Sequence, residues 1–414
     1  MNGNKRQLLY IDVTRLINRQ WQQLMPTGID RVMLSYVHYY QDNAQALFYY
    51  LGTFWILPTS HSKKLFLLLL SGASKRLLLA PIISGVVFGV IQRKKVINRS
   101  SSQAQQLGKK YFNALLALGH SNLEKKHYIK EIKRLELEPI FFIHDLIPIT
   151  HPEYCRFGEK EKHSRRIINA LTLAKGIIVN SQATQEALLN FSASVQNKKP
   201  LITVAHLGAE LPKSSSQKYS RPLNLIEYPP QHIVDTPYFV VLGTIEPRKN
   251  HLLLLHIWQK LIHKMGARAP RLIIIGRRGW ECEHVTRMLD RCTLFDGFIF
   301  EWNRCSDEQL LICLRDSQAL LFPSFVEGYG LPLIEALGAG TPVIASAIPA
   351  FMELTDAIPE YIDPLDITQW MTVITDYSNS ESVLRRAQLE RLAGYKAPSW
   401  VNHFSVVEKF LQSI

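Results

Sequence analysis

The stretch FPSFVEGYGLPLIEALGAGTPVIAS, residues 322–346, decides the fold. Glu327 and Glu335 stand in it with seven residues between them, and Gly328, Tyr329 and Gly330 form a glycine-rich turn after the first. Pro332 suits the first turn of a helix, where its missing N–H would lack a partner in any case. Ile334, Leu337 and the small residues Ala336, Gly338, Ala339 and Gly340 let such a helix pack closely against a sheet, and TPVIAS reads as the next buried strand. The segment is therefore loop, helix start, strand, with Glu327 on the loop and Glu335 in the first turn of the helix. Unpaired N–H groups and the helix dipole favour an anion such as phosphate at such a point. Two carboxylates beside an anion site suit a ligand with hydroxyl donors, as a sugar has.

Working outward, the same alternation fills the chain. Strands are predicted at Leu8–Val13, Pro139 into His144-Asp145, Gly176–Ser181 and Leu201–Gly208. Helices are predicted over Ile29–Tyr40 and over Gln182–Asn190, the latter capped by Ser181. Residues 212–237 are rich in Ser and Pro without periodicity and read as a linker. Beyond them come YFVVL, a helix over His251–Lys264, RLIIIG, a helix near Cys282–Cys292, FIFEW, a helix over Asp307–Asp316 and ALLFPSF. Strands alternating with helices mean βαβ units and parallel sheets. At 414 residues there is room for two domains of ordinary size. The expected division is 1–211, the linker, 238–395, and a last helix at 396–414 that crosses back to the first domain. Ligands of open α/β sheets bind beyond the carboxyl ends of the strands, here in the cleft between two sheets.

Composition excludes several classes. The 47% hydrophobic content fits a folded chain. Five Cys show neither a CxxC pair nor zinc-site spacing with His, so reduced thiols in a cytoplasmic protein are expected. The N-terminus lacks the apolar core of a signal peptide. The net charge of +13 is concentrated: residues 61–134 hold fifteen Lys or Arg against Glu124 and Glu131, an excess equal to that of the whole chain. Two apolar runs, Leu65–Leu70 and Leu77–Ile91, lie among those cations, and both fall short of the roughly 20 residues of a spanning helix. Apolar faces flanked by Lys and Arg fit a segment lying on an anionic membrane surface. The alternative is that Leu77–Ile91 is core. Nucleic acid is not expected, since the basic run lacks interleaved aromatics and any recognisable binding module.

Four further motifs stand at strand ends or helix starts. GTIEPRKN (243–250) follows YFVVL and carries Arg248 and Lys249. Gly276 ends the strand LIII, with Arg277 and Arg278 after it. HDLIPITHPEY (144–154) puts His144 at a strand end with Asp145 beside it. TGIDRV (27–32) opens the first long helix. No GxGxxG fingerprint of a dinucleotide cofactor is present, and no DxD pair stands at a strand end.

GTIEPRKN, the glycine turn at 276 and EGYGLPLIEALGAG, in that order along the chain, resemble the retaining glycosyltransferases of family four, whose fold is GT-B: two Rossmann-like domains facing each other across a cleft. TGIDRV and HDLIPI anchor a weaker likeness in the first domain. The resemblance implies that Glu327 contacts the transferred hexose, that the Gly328, Tyr329, Gly330 and Leu331 amides lie near the sugar and β-phosphate, and that Glu335 accepts from the ribose hydroxyls. It further implies that Arg248 and Lys249 hold the leaving diphosphate, where fixed cations favour the transition state over the ground state. Gly243, Gly276 and Gly28 would lie against the donor, and His144 would donate to a sugar hydroxyl or phosphate, oriented by Asp145.

The implied reaction is transfer of a hexose from a nucleotide diphosphate sugar to an acceptor hydroxyl with retention. No cofactor is expected, and no metal, because Arg248, Lys249 and the helix start after Gly330 would do the work of the ion. GTIEPRKN and HDLIPI are similar to mannosyltransferase members, which points to GDP-mannose. The basic segment points to a glycan or polyprenyl-diphosphate acceptor at the inner face of a bacterial membrane, as in O-antigen or other polysaccharide assembly. Two other classes remain open on this reading: a sugar-nucleotide enzyme of the same fold that is not a transferase, such as an epimerase, and a non-catalytic membrane-associated partner.

Overall fold

The computed structural model describes residues 8–85, 113–195, 201–209 and 236–414. The expected linker thus lies almost wholly outside the described residues, as does the part of the basic segment between 86 and 112.

Two sheets are built. The first joins β1 (Leu8–Asp12), β2 (Ala44–Tyr50), β3 (Thr53–Ile56), β4 (Asn113–Ala117), β5 (Glu138–Ile143), β6 (Gly176–Val179) and β7 (Ile202–Val204) in the order β3-β2-β1-β4-β5-β6-β7. Only β3 runs antiparallel, returning from β2 through a tight turn at Leu51-Gly52. The second joins β8 (Tyr238–Leu242), β9 (Arg271–Ile275), β10 (Ile299–Trp302), β11 (Leu320–Phe322), β12 (Val343–Ser346) and β13 (Glu360–Ile362) in the order β10-β9-β8-β11-β12-β13, all parallel. Helices cover both faces, so the central strands read as continuous apolar runs such as LIII at 272–275.

Each sheet reverses its direction of winding once. β1 lies between β2 and β4, and β8 lies between β9 and β11. Crevices at such switch points are where open α/β sheets hold ligands. The loops after β8 and β11 carry Arg248, Lys249 and Glu327.

The last helix, Trp400–Ser413, packs on the first domain. His403 is buried and ties two elements: its Nε2 is 2.9 Å from the Tyr36 hydroxyl, and its Nδ1 is 3.1 Å from the His206 carbonyl. A nitrogen facing a carbonyl must donate, so Nε2 is the acceptor of the tyrosine proton. Tyr40 donates to Glu408 at 2.7 Å.

The first apolar run of the basic segment forms part of the helix Thr59–Leu70 and splits between core and surface. Leu65, Phe66 and Leu69 are buried, while Leu67 is 60% exposed. The second run begins in a helix at 75–85, where Leu78 is buried and Leu77 and Ile83 are more than half exposed. No helix among the described residues is long and apolar enough to cross a membrane.

Candidate active site

The loop after β8 turns through Pro247–Lys249 as a short 3-10 turn, which sets Arg248 and Lys249 beneath the loop after β11. Both cations meet Glu327. Arg248 Nη1 is 2.5 Å from one carboxylate oxygen and Lys249 Nζ is 2.5 Å from the other. Ser324, three residues earlier, donates its hydroxyl to Glu327 at 2.9 Å, and Glu246 accepts from Arg248 Nε at 2.6 Å. The ammonium of Lys249 also lies 4.5 Å from the centre of the Phe322 ring, a cation–π contact.

Charge balance in this cluster follows from burial. Desolvation alone would raise the Glu327 carboxyl, but Arg248 and Lys249 outweigh it and hold it at about 2. Burial pulls Lys249 below its ordinary value, against the attraction of Glu327, and pushes Glu246 up, against Arg248 and Lys249. Two cations and two carboxylates are thus packed at close range with little water. A ligand carrying two or more negative charges can replace Glu327 as the partner of both cations.

Glu335 lies on the helix Leu331–Gly338 as its fifth residue, slightly deeper than the sequence implies. It is 3% exposed, and its partner comes from the other domain: Arg31 Nη1 at 2.8 Å. Burial raises its carboxyl and Arg31 opposes the rise. The start of this helix carries no side-chain cap hydrogen bond. Gly330, at φ +123°, turns the chain into it.

The turn between the two acids is pressed against the first domain. A Cβ at Gly328 would stand 2.5 Å from the His144 carbonyl oxygen, so only glycine permits this approach. Ser181 and Thr184 donate to the Gly328 carbonyl at 2.8 and 3.1 Å. Leu331 reaches Gly28, whose Cβ position would be 3.5 Å from the leucine Cδ1. TGIDRV, HDLIPI and EGYGLP, far apart in the chain, therefore meet in one cleft.

Two expectations, the donor role of His144 and its orientation by Asp145, need correction, and two neighbouring residues prove to have packing roles. The side chain of Tyr329 has a structural place of its own: its ring is buried and its hydroxyl donates to the Leu207 carbonyl at 2.8 Å, sealing the seam between the domains. Gly276 also meets a packing need, because a Cβ there would lie 1.8 Å from the Gly243 carbonyl oxygen at the end of β8. His144 is buried, and its Nε2 is spent on the Leu118 carbonyl at 2.8 Å. Burial holds its pKa down at about 4, so the ring is neutral near pH 7 and leaves Nδ1 as an acceptor, not the donor the sequence suggests. Asp145 does not orient it by a hydrogen bond, and instead accepts from the Ile147 N–H at 3.1 Å. Arg278 is bound by Asp290 and Glu301 on the surface.

Sequence reasoning missed several groups. Ser324 had a signal in its spacing from Glu327. Glu353 had none: it accepts from the Gln182 and Ala183 N–H groups at the start of the helix Gln182–Ser194 and from His206, clamping the two domains. Tyr154 stacks on Phe325 across the same cleft at 5.1 Å.

Residues 227–358 match the model of the glycosyl transferases group 1 family. The chain carries a group 1 glycosyl transferase domain. Among curated relatives it is 28% identical over 270 residues to O-antigen chain mannosyltransferase B of Escherichia coli, covering 63% of this chain and 66% of the relative. It is 30% identical over 241 residues to the serotype-specific mannosyltransferase WbdA of Escherichia coli, covering 55% of this chain and 29% of that protein. To O-antigen chain mannosyltransferase RfbU of Salmonella typhimurium it is 31% identical over 149 residues, 36% of this chain and 40% of the relative. The matched part thus spans less than two thirds of each of these relatives. Of solved structures, HepE of Anabaena in complex with UDP is matched over 99% of this chain and all of that one, at 14% identity and a TM-score of 0.62. Sucrose-phosphate synthase of Thermosynechococcus elongatus is matched over 77% of each chain at 17% identity and a TM-score of 0.51. The likeness shows the fold: the two sheets are the two halves of a GT-B fold.

Proposed function

We propose that the chain transfers a hexose from a nucleotide diphosphate sugar to an acceptor hydroxyl, with retention at the anomeric carbon and without a metal ion. The observation that carries this reading is the buried Arg248–Glu327–Lys249 cluster, next to the uncapped helix start that leads to Glu335. When the donor diphosphate enters, Arg248 and Lys249 move from Glu327 to its oxygens, and Glu327 is released to accept from the hexose hydroxyls. The acceptor oxygen attacks C1 from the face the diphosphate leaves, the C1–O bond to phosphate breaks, and the acceptor proton passes to the departing phosphate oxygen. Arg offers a fork to phosphate and Lys a point charge, so two fixed cations stabilise the charge that grows on the leaving group.

The donor is GDP-mannose on this reading, supported by relatives named as mannosyltransferases. The acceptor is a glycan or a lipid-linked glycan of bacterial surface polysaccharide assembly, met at the cytoplasmic face of the membrane. Exposed Leu67, Leu77 and Ile83 beside Lys64 and Arg76 support contact with an anionic leaflet.

The test is a panel of nucleotide sugars read first by thermal shift, then by release of nucleoside diphosphate with and without a mannose-terminated acceptor. Acceptor-dependent release from GDP-mannose, unaffected by EDTA, is expected. Conversion of the sugar nucleotide without an acceptor would instead mark an epimerase-like enzyme, and loss of activity in EDTA would end the metal-free part of the reading. Salt-sensitive sedimentation with anionic vesicles tests the membrane part, and protein left in the supernatant at low salt refutes it.

A further inference from the structure

The start of the helix Gly28–Tyr40 is an unusual place for Arg31. It is the fourth residue of the helix, where a cation opposes the helix dipole and an acid is preferred. The acid preference is met by Asp30, whose carboxylate closes a capping box with Thr27. Asp30 is itself 2% exposed and held by Arg15 at 2.7 Å and Arg19 at 2.6 Å. This locks the first turn in place, with Gly28 against Leu331, so two helix starts abut across the cleft. From that locked turn Arg31 reaches Glu335, and among the described residues it is the one cation paired with that carboxylate. Glu327, by contrast, has its cations from its own domain.

We infer that Arg31 is a positioning residue that acts through Glu335, aiming from the opposite domain the carboxylate that accepts the donor's ribose hydroxyls. The inference rests on the proposed function, which gives Glu335 to the ribose. Arg31 is 35% exposed at its side chain, so it can turn aside as a nucleotide enters while remaining within reach of one carboxylate oxygen. It follows that nucleotide binding and closure of the two domains share one ion pair. A plain closing contact would favour every nucleotide alike. A positioning contact favours only those with ribose hydroxyls.

The experiment uses the full chain and calorimetric titration with GDP and with UDP, each against its 2′,3′-dideoxy analogue. Arg31→Gln is expected to weaken the preferred ribonucleotide roughly tenfold and to leave its dideoxy analogue within about twofold, with Arg31→Lys recovering part of the loss. The acid limb of ribonucleotide binding should also move up in Arg31→Gln, because burial and Asp307 both raise Glu335 and Arg31 opposes them. Equal losses on ribo and dideoxy forms, or an unmoved acid limb, overturn the inference. Should Arg31→Gln fail to fold, Arg31→Lys read on the same pair of ligands decides, with a smaller but still ribose-dependent loss expected. Glu335→Gln separates this inference from the reading beneath it. If Glu335→Gln weakens ribo and dideoxy forms equally, the assignment of Glu335 is wrong. If its loss falls on the ribo form alone and that of Arg31→Gln falls on both forms equally, only the role of Arg31 falls. Wild-type protein that binds neither nucleotide overturns both.

Discussion

Glu327 and Glu335 belong to one short motif, yet the fold treats them in opposite ways. Glu327 sits among cations from its own domain, Arg248 and Lys249, and its carboxyl is held at about 2. Glu335 sits in an apolar helix with its counter-charge supplied across the cleft by Arg31, and its carboxyl is raised by burial. Both carboxylates are largely buried, so burial does not explain the difference; the number of cations in contact does, two at 2.5 Å for Glu327 against one at 2.8 Å for Glu335. One acid finds both its cations within its own domain. The other depends on how the two domains meet.

The most severe way to break this contrast is to remove a cation from the self-contained cluster. Lys249→Ala or Arg248→Ala should lower turnover by about 10²–10³, as expected when a fixed stabiliser of developing charge is lost. Glu327 is then left buried with half its partners, which costs about 3–5 kcal/mol of stability. Steady-state kinetics and urea unfolding on the same preparations check both. Wild-type turnover in either folded variant would sink the assignment of these residues to the diphosphate.

Acid titration sharpens the same contrast without changing the site's chemistry at neutral pH. A carboxyl lowered on folding stabilises the folded state above its unfolded value, and that stability drains away as pH falls through the folded value. For Glu327 the window runs from 4.5 down to about 2, a difference on the order of 3 kcal/mol. Glu327→Gln should therefore flatten the loss of stability across that window, measured by unfolding at a series of pH values. Glu335 is raised on folding, so it works in the other direction: its charged form costs stability above its folded pKa and acid relieves it. Glu335→Gln should leave the acid loss in place.

The contrast also marks where the sequence was legible. β8, β9, β11 and β12, and the helices from 251, 307 and 331, follow directly from apolar runs and their glycine punctuation, and Arg248, Lys249 and Glu327 lie on loops between those elements. Elements within one domain were readable. The hairpin of β2 and β3 was not, since Leu51-Gly52 is a weak turn signal and Leu51 takes φ +48°. Nor were the contacts that cross the cleft. Nothing local in YCRF says that Tyr154 will stack on Phe325, and nothing in PAFMEL says that Glu353 will cap a helix of the other domain. The error at His144 has a simple cause: a ring nitrogen that looks ready for a ligand was already used by the protein's own backbone.

Glu335→Ala tests the cross-domain side of the contrast. It should lower kcat/KM for the donor by about 10², because a site built to bind hydroxyls loses much of its discrimination when its acceptor goes. The cluster around Glu327 shares no partner with it, so the acid window described for Glu327 should persist in this variant. A variant that loses both would show the two acids to be coupled through the helix start between them.

The smallest expected effect lies where the two helix starts touch, at Gly28. It is the first residue of its helix, and a methyl group there would stand 3.5 Å from Leu331 Cδ1, an ordinary contact distance. Replacing glycine by alanine at a position that already has helical geometry stabilises by about 0.4–1 kcal/mol, mainly by restricting the unfolded chain. Gly28→Ala should therefore raise the melting temperature by about 1–3 °C. If glycine is there because the donor diphosphate approaches its backbone, turnover should fall several-fold in the same protein. Thermal unfolding and kinetics on one sample read the two effects separately. A gain in stability with unchanged turnover would remove Gly28 from the donor site and leave Arg31 as the contribution of TGIDRV. A loss of stability would mean that the helix starts meet more tightly than 3.5 Å allows, and that the pairing of Arg31 with Glu335 tolerates no added bulk beneath it.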